Sequence, residues 1–208
     1  MDFQFYGANC ISISHKSTRI VVDDNLSELG KTGVIKAGDV ALYTTVVKKL
    51  KTEPKLVIDC VGEYEVSDIS IIGISARAHT DEKGLQSVTM YKISAADLSV
   101  LVTGHIFPEL NDEQREAIGI TDVLIIPVGG HGYTMDGRGA LNIIKELEPK
   151  MVIPTHYEQK GINYPVPQAP LEEALADLGM ELRPAVAKLR LKPTDLSDIT
   201  QLSILEVS

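Results

Sequence analysis

Two cysteines among 208 residues, Cys10 and Cys60, leave little room for thiol chemistry. They have neither Cys-x-x-Cys spacing nor a neighbouring histidine, so the expectation is a pair of unpaired thiols at buried strand positions in a reducing compartment. No run of ~18 apolar residues occurs, which argues against a spanning helix. The start, Met1-Asp2-Phe3-Gln4-Phe5, lacks the basic-then-apolar pattern of a secretory signal, so a cytoplasmic location is expected. Basic residues are scarce: the longest cluster is Lys48-Lys49-Leu50-Lys51, in a chain of formal charge −9 and pI near 5.0. Such a surface repels phosphate backbones and anionic lipid heads, so neither nucleic acid nor a membrane is an expected partner. Aromatic residues make up 5% of the chain, a content that neither supports nor excludes a homo-oligomer.

Pro/Gly/Ser-rich linkers, fixed-period repeats and low-complexity tracts are also missing, and residues 1–208 read as a single domain. With 44% apolar residues the chain can bury a full core. Strands are expected at Cys10 to Ser14, Arg19 to Val22, Val40 to Thr45 and Leu56 to Asp59, then at Ile69 to Ile74, Ser87 to Ile93, Leu98 to Thr103, Val123 to Pro127 and Met151 to Pro154. Helices are expected over Asn111 to Ile118, which opens with an Asn cap and acids, over Gly139 to Leu147, and over Pro170 to Leu178 before Gly179. Ala187 to Leu191 and Gln201 to Val207 return to strand-like alternation and suit sheet edges. Strands in runs that later alternate with helices indicate an α/β fold whose sheets are covered outside by helices.

Chemistry must come largely from the five histidines, the only strong nitrogen ligands present. His15 lies in the polar stretch Ser14-His15-Lys16-Ser17, read as an exposed hairpin turn, and carries no expected role. His79, His105, His131 and His156 each follow the C-terminal end of an apolar run, where side chains of neighbouring strands converge on one rim. Any one of them could be a loop histidine bonded to backbone; four in one context suit zinc, which takes three or four N, O or S donors. The segment Gly129-Gly130-His131-Gly132 could cradle an anion on backbone N–H groups, but its spacing fits no nucleotide fingerprint and a glycine turn explains it as well. Neither Cys60 nor any serine has an evident His-acid arrangement, so covalent catalysis is not supported.

Four stretches carry a family resemblance: Ile20-Val21-Val22-Asp23; Val61-Gly62-Glu63-Tyr64-Glu65-Val66; Ala78-His79; and Ile126-Pro127-Val128-Gly129-Gly130 with Tyr133-Thr134-Met135-Asp136, continuing through Pro149 to Ile153-Pro154-Thr155-His156-Tyr157. In this order they resemble the metallo-β-lactamase superfamily, in particular its compact branch of ascorbate-6-phosphate lactonase-like and uncharacterised zinc-dependent hydrolase proteins. The resemblance covers nearly the whole chain. It implies an αββα four-layer sandwich of two mixed β-sheets flanked by helices, with a metal cleft at one edge of the sheets.

The family's His-x-His-x-Asp-His motif follows a strand that Asp39 to Thr44 matches, which puts its ligand positions on Thr45, Val47, Lys49 and Leu50. Val and Leu have no donor, a neutral hydroxyl is a weak one, and a Lys amine is protonated near neutral pH. His79 and His156 fall on later ligand positions, and His105 falls where the family has its metal-bridging Asp. Asp23, the first-motif acid, is a supporting residue that could buttress a turn.

Two readings follow. In the first, the fold is kept without dinuclear zinc hydrolysis, and the cleft serves ligand binding or assembly, with no cofactor. It would be lined by Asp23, Thr45, Val47, Lys49, Glu63, Gly129, Gly130, His131 and Asp136, a small anionic molecule being the expected ligand and Lys49 either a stand-in for the missing metal charge or an ordinary solvated lysine. In the second, His79, His105 and His156 hold one zinc or other divalent transition metal with water in the open position, assisted by His131, Glu63 or Asp136. That site would hydrolyse a small ester, lactone or phosphoester.

Overall fold

A computed structural model describes residues 1–46, 50–180 and 183–208. Val47 and Lys49, both expected at the cleft, lie outside the described residues.

The first sheet is built mainly from the N-terminal strands β1 (Asp2–Gly7), β2 (Cys10–His15), β3 (Thr18–Val22), β4 (Val40–Leu42) and β5 (Leu56–Ile58). In β1 the alternation buries Phe3 and Phe5 and turns Asp2, Gln4 and Tyr6 partly outward, the period-two pattern of a strand with one face on the core. The second sheet takes β6 (Gly62–Val66), β7 (Ile69–Ala76), β8 (Val88–Ala95), β9 (Leu98–Val102), β10 (Val123–Pro127) and β11 (Met151–Thr155). Two short late strands, β12 (Leu189–Arg190) and β13 (Gln201–Leu202), close one edge of each sheet, where the C-terminal alternation is expected.

The strand orders are β12-β1-β2-β3-β4-β5 and β13-β11-β10-β9-β8-β7-β6, and both sheets are mixed. β10 pairs in parallel with β9 and with β11, in register from Val123 opposite Met151 to Pro127 opposite Thr155. Every residue of β10 and β11 is buried, as expected of parallel strands covered on both faces.

Three helices accompany the second sheet. α1 (Asp112–Ile118) starts at a capping box in which Asn111 and Gln114 bond reciprocally. α2 (Gly137–Leu147) begins two residues earlier than its apolar spacing indicates, because the Asp136 side chain caps it by accepting from the Gly139 N–H. α3 (Leu171–Leu178) follows Pro170 and ends at left-handed Gly179. The outer face of the first sheet is covered differently. Cys10, Val21 and Ala41 point away from the main core and pack with Leu26, Ile35 and Tyr43, contributed by a 3-10 turn (Leu26–Leu29) and loops. The main core lies between the sheets, joining Phe5, Ile11, Val22 and Leu42 to Ile71, Tyr91, Val100 and Ile125.

Two expectations are corrected. Cys60 is exposed, in the link between β5 and β6 beside the Tyr64 hydroxyl at 3.1 Å, because the chain is leaving the first sheet there. The strand expected through Thr45 stops at Leu42, because Thr44 turns aside: its N–H and hydroxyl go to Asp23, and its carbonyl accepts from the Thr89 N–H on the other sheet at 2.9 Å. Among the described residues no helix is long and apolar enough to cross a membrane.

Candidate functional site

The C-terminal ends of β3, β4, β9, β10 and β11 and the turn after β1 meet at one rim. There a small pocket is lined by Asn9, Asp23, Asn25, Tyr43, Thr45 and His105. Asp23 takes a left-handed φ of 47°, which swings its carboxylate back onto Thr44: Oδ1 accepts the Thr44 N–H and Oδ2 the Thr44 hydroxyl, both at 2.7 Å. Burial pushes this carboxyl up to about 6, opposed by the two Thr44 bonds. Gly104 makes the approach of Thr44 to His105 geometrically feasible. It has φ of 61°, and a β-carbon there would stand 2.5 Å from Thr44 Cβ.

His105 and His156 stand edge to face, ring centroids 4.5 Å apart. Tyr133 lies 5.0 Å from the His105 ring and Tyr164 lies 5.0 Å from the His156 ring. Burial holds both imidazoles well below the usual histidine range, His105 at about 3 and His156 at about 4, and each is therefore neutral at physiological pH. His156 sits in the left-handed region, with φ of 51°. Its N–H donates to Ala8 O at 2.8 Å, and Gly129 packs so closely that a β-carbon there would lie 2.1 Å from His156 O. Its Nδ1 faces Gln168 Oε1 at 3.0 Å. Gln168 donates its own amide to Val166 O and Pro167 O, so Oε1 can only accept, which assigns the proton to His156 Nδ1 and leaves Nε2 as the electron-pair donor.

His79 is tied to the same rim through its backbone N–H, 2.7 Å from His105 O, while its ring stacks on Phe107 at 6.0 Å. The other expected residues are placed differently. His131 is exposed in the turn after β10. Asp136 caps α2, although its charge still acts on His79. Glu63 is exposed on edge strand β6, which two strands separate from β9. Gly129 O accepts from the Ala169 N–H, and the Gly130 N–H donates to Met135 O, so these glycines build a closed turn behind His156.

Asn9, Thr44, Tyr133, Tyr164 and Gln168 are site residues that the pattern of histidines does not indicate. Asn9 is buried, takes the Thr155 hydroxyl on Oδ1 at 2.9 Å and has no described partner on Nδ2. Nothing in the local sequence of Asn9 or Gln168 marks them. The Tyr133 signal was readable, since it lies in the stretch that carries the resemblance.

A metal centre of this fold needs three or four donors around one point. Among the described residues no three His, Cys, Asp or Glu side chains meet in that way. As arranged, the residues therefore do not fit a metal, although His79 Nδ1 and His105 Nδ1 are both buried with no described partner.

A family profile described as a beta-lactamase superfamily domain matches residues 2–156. Among curated proteins, the chain is similar to ones described as UPF0173 metal-dependent hydrolases. One, from Pyrococcus furiosus, is 29% identical over 153 residues, covering 64% of this chain and 62% of the relative. Another, from Pyrococcus horikoshii, is 29% identical over 101 residues, covering 46% of this chain and 44% of the relative. The chain thus spans less than two thirds of the length of these relatives. A solved structure from Thermotoga maritima, of the metallo-β-lactamase superfamily, superposes with a TM-score of 0.75 at 23% identity, covering 100% of this chain and 99% of that one. A metallo hydrolase from Ignicoccus hospitalis gives a TM-score of 0.64 at 17% identity, covering 92% and 99%. At these identities the structures show the fold.

Proposed function

Because the chain belongs to the beta-lactamase superfamily, we propose that it keeps the cleft between the two sheets as a binding site for a small polar ligand and has given up dinuclear zinc hydrolysis. The observation that carries this reading is that no three metal-binding side chains meet among the described residues. Thr45 supplies only a hydroxyl, and Leu50 no donor at all, where the resemblance expects metal ligands. What the cleft offers is the Asn9 amide, the Thr45 hydroxyl and the neutral His105 imidazole, beside an Asp23 carboxyl whose two oxygens are already taken by Thr44. Such a set orients a ligand by donor and acceptor geometry, and neutral imidazoles avoid placing uncompensated charge in a buried site.

A second reading, a mononuclear metal hydrolase using His79, His105 and His156, is favoured by one observation, the two buried and unpartnered Nδ1 atoms. The relatives' description as metal-dependent hydrolases points the same way. It requires the His79 ring to leave Phe107.

Elemental analysis of protein purified without chelator separates the two, with a His79→Ala/His156→Ala double variant as control. The binding reading expects metal far below stoichiometric amounts and no thermal stabilisation when zinc is added. About one equivalent of zinc, iron or manganese that disappears in the double variant would overturn it in favour of the mononuclear centre.

A further inference from the structure

On the outer side of Tyr43, away from the histidines, lies a second and larger cavity of about 190 Å³. It is walled by Asp24, Ser27, Lys31, Thr32, Gly33, Tyr43, Lys51 and Thr52, with Ile35 and Leu50 supplying apolar surface. Two of its polar atoms are buried and bond to no described group: the Tyr43 hydroxyl, on a residue 5% exposed, and Asp24 Oδ1. Buried polar atoms of this kind are rare in folded proteins, and two in one cavity point to a ligand that supplies their partners. The other Asp24 oxygen is engaged, accepting the Val34 N–H at 2.6 Å and the Ile35 N–H at 2.8 Å, which fixes the carboxylate in place.

The charge of the wall indicates what the partner must be. Lys31 and Lys51 form no ion pair with another described residue, in a chain of formal charge −9. Lys31 stands at the rim, its ammonium beside Gly161. Burial, then the charge of Asp24, raises the Tyr43 phenol, so it keeps its proton and donates. Three hydroxyls, from Ser27, Thr32 and Thr52, add adaptable donors. Donors and cations thus outnumber the single carboxylate, and that carboxylate has one oxygen that can only accept.

We propose that this outer cavity binds a small hydroxylated anion. Its phosphate or carboxylate oxygens are taken by Lys51, Tyr43 and the Ser and Thr hydroxyls, and its hydroxyl is given to Asp24 Oδ1. The site shares only Tyr43 with the lining of the histidine cleft and does not rest on the reading proposed for that cleft.

Isothermal titration calorimetry on the full chain tests it with four probes: glycerol 3-phosphate, glycerate, inorganic phosphate and glycerol. Saturable binding of glycerol 3-phosphate or glycerate is expected, whichever is tighter identifying the head group, with inorganic phosphate weaker and glycerol silent. Lys51→Ala and Tyr43→Phe should each weaken binding about tenfold, the scale of one lost charged or buried hydrogen bond. Tyr43→Phe should do so without loss of thermal stability, since its hydroxyl bonds to no described group. His105→Ala should bind as the wild type does. Absence of saturable heat with both hydroxylated anions would overturn the proposal. So would binding that survives Lys51→Ala and is lost in His105→Ala, which would place the anion in the cleft.

Discussion

The Asp23 carboxylate holds Thr44 twice, through the backbone N–H and through the hydroxyl, and Thr44 in turn passes its carbonyl to Thr89 on the opposite sheet. One buried acid thus pins the turn after β4 where the first sheet is bonded to the second, directly beside His105. Its cost is electrostatic. Burial raises the folded-state pKa to about 6 from an ordinary 3.8, so the native state binds this proton more tightly than the unfolded chain does. The corresponding stability is fully present below the unfolded value and is lost as pH rises through the folded one.

Wild type should therefore lose ground to Asp23→Asn as pH is raised from about 4 to about 7, by about 2–3 kcal/mol, because the neutral amide has no proton to release. Urea unfolding of both proteins across that range measures the difference. A gap that stays constant with pH would show that Asp23 does not titrate as its burial requires.

Gly129 is expected to tolerate no side chain. A β-carbon would meet His156 O at 2.1 Å and Gln168 Oε1 at 2.2 Å, both held by the rim itself, so Gly129→Ala should destabilise by about 1–3 kcal/mol or more. Gly38→Ala, at a position with nothing within 4 Å, should stay within about 0.5 kcal/mol of wild type. Equal unfolding midpoints for the two variants would contradict the close packing behind His156.

Gln168 fixes the tautomer of His156, and nitrogen chemical shifts of the imidazole should show the proton on Nδ1 in the wild type. In Gln168→Ala the shifts should move toward a mixture of tautomers. Stability should fall by about 1–3 kcal/mol, because a buried N–H is left unpaired. A single unchanged tautomer in the variant would remove Gln168 from this positioning role.

Much of the architecture was legible in the chain. β10 and the end of α1 fall where apolar runs and capping residues put them, and left-handed Gly179 ends α3 as its sequence indicates. Strands β1 and β6 are only weakly marked in the sequence. Their alternations, Phe3 with Phe5 and Tyr64 with Val66, were present but short, and in β6 the charged Glu63 and Glu65 hide the pattern. Cys60, expected at a buried strand position for want of any thiol motif around it, is exposed because β5 ends at Ile58 and the chain leaves the first sheet there.

The sequence by itself placed most strands and helices, because hydrophobic periodicity and turn residues act locally along the chain, and the resemblance carried by its motifs implied the superfamily and the two-sheet sandwich. Only the tertiary structure decided which histidines meet. His105 pairs with His156 while His79 stacks on Phe107 and His131 faces solvent, and the hydrogen-bonding groups around them come from Asn9, Thr44 and Gln168. Those contacts join residues as far apart as Asn9 and Thr155, and such proximity depends on how the two sheets pack, which no local pattern encodes.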